Sequence, residues 1–232
     1  LIVGGLEKVY EIGRIFRNEG MDTRHNPEFT TIEMYAAYED YTDMMTLAEN
    51  LFQHVAMKVV GTCHIQYQGM DIDLTAPWTR MTMVEAVRRY ASVDFDSFSD
   101  DATARALAKE HSLEVRDSAT WGDVLALFFD EYVEENLIQP TIIYEYPVEI
   151  SPLAKRKPSD PRLTERFEFF MARWEGGNSF TELNDPIDQR ERFIKQAMEK
   201  HGENEDFQID EDFVTALEYG MPPTGGLGIG IE

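Results

Sequence analysis

Glu33, Tyr35, Asn178, Phe180 and Glu182 invite a chemical reading before any fold is assigned. Each lies in a stretch that reads as a β-strand, where successive side chains point to opposite faces. Phe29, Thr31, Glu33 and Tyr35 then share one face of a strand, with Thr30, Ile32, Met34 and Ala36 on the other. Asn178, Phe180 and Glu182 share a face of a second strand, opposite Ser179, Thr181 and Leu183. A pocket built from both faces would hold two carboxylates beside a phenol. Such a pocket suits an amine, because an ammonium offers three donors and no acceptor and a buried carboxylate needs such a partner. The competing reading is a wet sheet face with a few salt bridges, as antiparallel sheets often have.

The segment Gly225-Gly226-Leu227-Gly228-Ile229-Gly230-Ile231 is neither a dinucleotide fingerprint nor a P-loop, since no G-x-G-x-x-G can be placed on it and no Lys-Ser/Thr follows. As a strand it has Gly226, Gly228 and Gly230 on one face: bare backbone for a flat ligand, or a seat for another element. Glu168 and Glu175 flank an aromatic stretch and suit Mg²⁺ shared with a phosphate ligand. Seven residues apart on one regular strand they would point to opposite faces, so joint binding needs a bulge or bend before Gly176. His54, His64, His111 and His201 show no ligand spacing and Cys63 has no partner, which leaves zinc unsupported. No Ser-His-Asp or G-x-S-x-G pattern is present.

The elements that must position these residues are legible from turn residues and periodicity. Residues 6–36 read as two strands joined through Gly20–Pro27, and 42–60 as a helix with apolar residues at helical spacing, stopped by Gly61. Residues 64–75 read as a short hairpin. Thr82-Met83-Val84-Glu85 is a capping box opening a helix, followed by helices near 101–111 and 120–136. Ile142 to Glu149 is strand-like, with Pro147 marking an edge or an end, and 151–164 is loop-like. Residues 165–175 and 178–184 read as strands broken at Gly176-Gly177. Asp185-Pro186 caps a helix to about Lys200, a short helix spans 211–219 and a strand spans 225–231. Strands come as hairpins with segregated helices, so the expectation is an α+β fold, an antiparallel sheet flanked by helices, with a helical insertion at about 82–140.

The 232 residues carry 44 acidic and 21 basic side chains, a formal net charge of −23. That length expects one large domain, and 43% hydrophobic residues argue against an acidic disordered tail. A general nucleic-acid-coating surface is disfavoured, because phosphate neutralisation needs clustered Lys and Arg. One cysteine fits a reducing compartment, and no apolar run approaches the roughly 20 residues that span a bilayer.

Together these stretches resemble a known family. Val9-Tyr10-Glu11-Ile12-Gly13-Arg14-Ile15-Phe16-Arg17-Asn18-Glu19-Gly20, followed by Arg24-His25-Asn26-Pro27-Glu28-Phe29-Thr30, resembles motif 2 of class II aminoacyl-tRNA synthetases, and Gly225 to Glu232 the start of motif 3. Glu33-Met34-Tyr35, Glu149–Lys155 and Asn178–Asp185 are similar to the lysyl branch. The resemblance implies a class II catalytic core that converts lysine and ATP to lysyl-adenylate and charges tRNA(Lys). In it Arg17 is the catalytic residue, bridging the lysine carboxylate and the ATP α-phosphate. Glu19, His25 and Asn26 contact ATP, Phe29 stacks on adenine, and Gly228 and Gly230 line the nucleotide site. Glu33, Tyr35 and Glu182 read the lysine ammonium, Phe180 walls the alkyl stem, Asn178 holds the carboxylate, and Glu168 and Glu175 bind Mg²⁺ with the phosphates. The full-length protein is then expected to be a cytoplasmic homodimer with no membrane partner.

On the family pattern both ends look cut. Motif 1 and the anticodon-binding barrel are absent upstream, and Glu232 stands where the pattern has Asp followed by Arg. This stretch alone is therefore expected to be inactive or weak. Two other readings are a paralogue that lysylates a protein such as an elongation factor, against which Glu149–Lys155 speaks, and a lysine-sensing module without chemistry, against which Arg17, Glu168 and Glu175 speak.

Overall fold

The computed structural model describes residues 1–18, 26–201 and 209–231, with the backbone only for 199–201. The chain begins with strands β1 (Lys8–Phe16) and β2 (Glu28–Ala37), then helix α1 (Tyr41–Val59). Short strands β3 (His64–Tyr67), β4 (Met70–Asp73) and β5 (Thr79–Thr82) lead into α2 (Met83–Ala91), α3 (Asp101–Glu110) and α4 (Trp121–Tyr132). Then come β6 (Thr141–Tyr144), β7 (Arg156–Lys157), β8 (Asp160–Thr164), β9 (Arg166–Met171) and β10 (Trp174–Thr181). Helices α5 (Pro186–His201) and α6 (Glu211–Glu218) precede the last strand, β11 (Thr224–Gly230).

Local signals explain most boundaries. Asp40 caps α1 by accepting from the amides of Thr42 and Asp43, and Asp43 returns the bond to the Asp40 amide. Thr82 and Glu85 close the expected capping box at α2, at 3.1 and 2.8 Å. At α5, Asp185 accepts from the Ile187 amide at 2.9 Å, with Pro186 in the first turn. Gly61 and Gly220, at φ +82° and +101°, end their helices in a conformation that costs glycine little.

Among the described residues one seven-stranded sheet dominates, in the order β1-β2-β11-β10-β9-β6-β5. Its pairings are antiparallel except β5 with β6, so the sheet is mixed but mostly antiparallel. The helices α2 to α4 form the connection between those two parallel neighbours, as parallel strands require a long crossover.

The two faces of the sheet are packed differently. Ile142, Phe167, Phe169, Leu227, Ile229 and Ala36 point to one side and bury against Met44, Met45 and Ala48 of α1. Trp78 and Phe52 meet the Phe169 ring there at 5.6 and 5.3 Å between centroids. Buried Glu49 of α1 accepts from Arg80 Nε at 2.9 Å and so ties α1 to β5. On the other side, Ile143 and Phe170 belong to a second core made with α2, α3 and α4. That core covers the β6–β9 end of the face. Over β2, β11 and β10 the same face carries the polar residues singled out above.

Three expectations need correction. The chain does not turn at Gly176-Gly177. It turns at Ala172-Arg173, which take φ of +52° and +68° between the paired residues Met171 and Trp174. Gly176 and Gly177 lie inside β10 because the Phe169 ring packs against them: a Cβ on Gly177 would sit 2.7 Å from that ring and 2.5 Å from the Gly228 carbonyl. The strand expected over 142–149 stops at Tyr144, where Glu145 takes a positive φ of 64°, and a 3-10 turn follows at Val148–Ile150. The segment expected as loop, 151–164, contains the β7–β8 hairpin, closed by Arg156 pairing with Thr164.

Candidate active site

Strand register assembles the site. Gly226 of β11 pairs with Tyr35 of β2 on one side and Phe180 of β10 on the other; Gly228 pairs with Glu33 and Asn178. Tyr35, Glu33, Phe180 and Asn178 therefore stand on one face, around the glycine side of β11. They line a cavity of about 490 Å³ with Arg17, Phe29, Thr31, Leu153, Glu175 and Glu182. Gly228 and Gly230 lie along its floor. Arg17 is tied to the second strand by its amide, which donates to the Pro27 carbonyl at 2.9 Å, and its guanidinium lies 5.3 Å from the Phe29 ring centroid.

The glycines of β11 have two different uses. A Cβ at Gly226 would collide with Glu182 Oε1 and lie 2.9 Å from Tyr35 Cε1, and one at Gly228 would lie 2.9 Å from Glu33 Oε1. These two positions are bare so that the protein's own acids and phenol can lean over the strand. At Gly230 nothing lies within 4 Å of a Cβ, so only there does the bare strand face open space.

The acid end of the cavity is electrostatically tense. Burial raises the Glu182 pKa from its ordinary value to about 8, and the nearby Glu33 carboxylate adds to the rise. Its remaining exposure is toward the cavity, while Glu182 is fixed behind by its amide, which donates to the Thr224 carbonyl at 2.8 Å. Glu33 is also raised by burial, against the opposing pull of the Arg17 charge and a hydrogen bond from the Tyr35 hydroxyl. Burial and the two carboxylates push the Tyr35 phenol up, so it stays a neutral donor. Two acids and a phenol converging here have the chemistry to accept a cation.

Glu168 and Glu175 lie on neighbouring strands of the β9–β10 hairpin. Glu168 pairs opposite Asn178 and so shares its face. The register slips between Glu175 and Gly177, a bulge that brings Glu175 to the cavity wall. Both carboxylates act on the Tyr146 hydroxyl, which donates to Glu168 Oε2 at 2.9 Å. No group of three or more His, Cys, Asp or Glu is placed to hold a metal among the described residues. Glu175 lines the cavity, whereas Glu168 stands outside the lining with one oxygen on Arg166 and the other on Tyr146; the arrangement open to this pair is Mg²⁺ held mainly by phosphate oxygens and water.

Asn26 is exposed two residues before β2 and outside the cavity lining, whereas Glu19, His25 and Glu232 fall outside the described residues. Parity had grouped Phe29, Glu33, Tyr35, Asn178, Phe180 and Glu182, and the structure brings these together with Arg17 and Glu175. Sequence reasoning missed Leu153, which caps the cavity from the loop after the 3-10 turn, and two residues behind the wall, Tyr146 and Arg166. Arg166 had a usable signal, since it shares strand parity with Glu168. Leu153 carries no periodicity, as a loop residue, and its one signal is its place inside Glu149–Lys155, the stretch similar to the lysyl branch. No helix among the described residues is long and apolar enough to cross a membrane.

A family model described as tRNA synthetases class II (D, K and N) matches residues 1–232. Lysine--tRNA ligases of Staphylococcus aureus strains Mu3, N315 and MRSA252 are each 58% identical over 233 residues, covering all of this chain and 47% of theirs. The chain thus spans about half the length of the curated relatives it matches.

Proposed function

Because the chain belongs to the class II tRNA synthetases of the D, K and N group, we propose that the protein carrying it activates L-lysine with ATP and transfers the lysyl group to tRNA(Lys). The observation that carries this reading is the convergence of Glu33, Glu182 and Tyr35 over Gly226 and Gly228. It forms an acidic seat in a cavity that Arg17 and Phe29 also line. The 58% identity to lysine--tRNA ligases supports it.

In this reading the lysine ammonium donates to Glu33, Glu182 and the Tyr35 oxygen, and its alkyl stem lies along Phe180. Asn178 donates to the carboxylate. The adenine stacks on Phe29, with Glu19, His25 and Asn26 as further ATP contacts and Gly228 and Gly230 beneath the nucleotide. A lysine carboxylate oxygen attacks the α-phosphorus, the bond to the bridging oxygen breaks, and pyrophosphate leaves. Arg17 stabilises the charge that builds on the α-phosphate, and no protein nucleophile is needed. Glu168 and Glu175 would hold Mg²⁺, which neutralises phosphate charge when bound. A terminal ribose hydroxyl of tRNA then takes the lysyl group and AMP departs. On the family pattern the full-length protein is a cytoplasmic homodimer, and residues 82–140 are an insertion into the shared core, with their helices packed on Ile143 and Phe170 of the sheet.

Pyrophosphate exchange into ATP by the full-length protein tests the reading. Exchange should depend on lysine, and Glu182→Gln should weaken lysine by about 100-fold, the scale of a lost charged hydrogen bond, while ATP affinity changes little. Equal effects on lysine and ATP would overturn the ammonium assignment. Lysine binding without exchange would point to a sensing module instead.

A further inference from the structure

Arg166 does not itself line the cavity, yet it stands behind two of the proposed site residues. It pairs opposite Phe180 across β9 and β10, which places its side chain on the cavity face beside Asn178 and Glu168. The side chain is only 15% exposed. Its Nε donates to Asn178 Oδ1 at 3.0 Å, and its Nη2 pairs with Glu168 Oε1. Nη1 donates to the Ile150 carbonyl and, at 3.0 Å, to Ser151 Oγ. The guanidinium carbon lies 4.8 Å from the centroid of the Tyr146 ring, whose hydroxyl holds the other Glu168 oxygen. Arg166 is thus clamped from every side and cannot swing away.

A guanidinium offers donors and no acceptor. It therefore decides which end of the Asn178 amide faces it: the oxygen. The Nδ2 group, with its two N–H donors, is turned to the other side, toward the cavity that Asn178 lines. A flipped amide would set N–H groups against a cation and present an oxygen to a carboxylate, which is doubly unfavourable.

We propose that Arg166 is the positioning residue of the amino-acid carboxylate subsite. By holding Asn178 Oδ1 it keeps the amide donors aimed at the substrate carboxylate, and through Glu168 it ties that subsite to the proposed cation site. The inference rests on the lysine reading above.

The test is calorimetric titration with two ligands, lysine and 1,5-diaminopentane, which keeps the ammonium and stem and lacks the carboxylate. Arg166→Met should weaken lysine about tenfold, as loss of an oriented charge-assisted contact does, and leave the diamine within about twofold. In an Asn178→Ala background the same change should cost lysine less than about twofold, because the two residues act as one unit. Arg166→Lys keeps the charge without the fork, and should show a smaller loss with the same selectivity; it carries the test if near-UV circular dichroism shows the Met variant unfolded. Equal losses for lysine and the diamine, or additive losses in the Asn178→Ala background, would mark Arg166 as a merely structural residue and overturn the inference. Unaltered lysine binding by both Arg166 variants would overturn it alone, whereas an unaltered protein that binds no lysine would overturn the functional reading and this inference with it.

Discussion

Glu182, with its pKa raised to about 8, is mostly protonated at neutral pH, whereas Glu33 is raised by burial and pulled back by Arg17. An ammonium beside Glu182 favours the ionised form. Binding a cation near pH 7 should therefore release a proton, and affinity should depend on pH. Lysine affinity is expected to rise by about tenfold per pH unit below 8 and to level off above it, before the ammonium itself titrates near ~10.4. Titration calorimetry from pH 6 to 9, in buffers of different ionisation enthalpy, measures both the affinity and the proton released. Glu182→Gln should flatten the profile, and a wild-type profile that is already flat would show that the cation does not meet Glu182. The parity of two strands was enough to name this acid from sequence, because alternation needs only local backbone geometry. Its raised pKa was not legible, since it depends first on burial in the assembled sheet and then on Glu33 from a strand far away in the chain.

At the scale of elements, β11 is the strand on which the site is built, and its glycines are spacing devices for side chains on both neighbours. Gly226→Ala should push Glu182 and Tyr35 apart, because its Cβ would collide with the first and lie 2.9 Å from a ring carbon of the second. The expected outcome is a loss of lysine affinity of more than about tenfold, together with a stability loss of about 1–3 kcal/mol from overpacking. Calorimetry and urea unfolding check the two parts. Gly230→Ala, where a Cβ meets nothing within 4 Å, should shift stability by less than about 0.5 kcal/mol. The glycine pattern was visible in the sequence, but which glycine serves a ligand and which serves the protein's own carboxylates was not. The same limit explains the misplaced hairpin. Gly176-Gly177 looks like a turn, yet these glycines answer to the Phe169 ring, while the real turn uses Ala172 and Arg173 in left-handed conformations that sequence statistics disfavour.

The whole molecule carries a formal charge of −23, and part of that acid excess is concentrated at one end of one cavity. The folded pKa of Glu182, about 8, lies above its ordinary value of 4.5. Between those values the native state holds a proton that the unfolded chain has released, so unfolding free energy falls as pH rises. The contribution is fully present below 4.5 and is lost as pH rises through 8. Urea unfolding at pH 5, 7 and 9 should show Glu182→Gln gaining on the unaltered protein with pH, by on the order of 4 kcal/mol at the upper end. Saturating lysine should reduce the slope of the unaltered protein, because the bound cation offsets the buried charge. A constant difference between the two proteins across that range would contradict the assignment.

Most elements and the local chemistry follow from the local sequence, the β9–β10 turn, the end of β6 and the β7–β8 hairpin excepted. Capping residues at Thr82 and Asp185, helical spacing over α1, strand alternation over β2 and β10, and motif-like stretches along the chain all depend on residues within a few positions of each other. Only the tertiary structure decided that β11 lies between β2 and β10, that β5 and β6 run parallel, that one sheet face becomes core while the other opens into a cavity, and that Arg166 backs Asn178. Those outcomes rest on register and packing between segments separated by tens to hundreds of residues, and no local pattern encodes which strand will be whose neighbour.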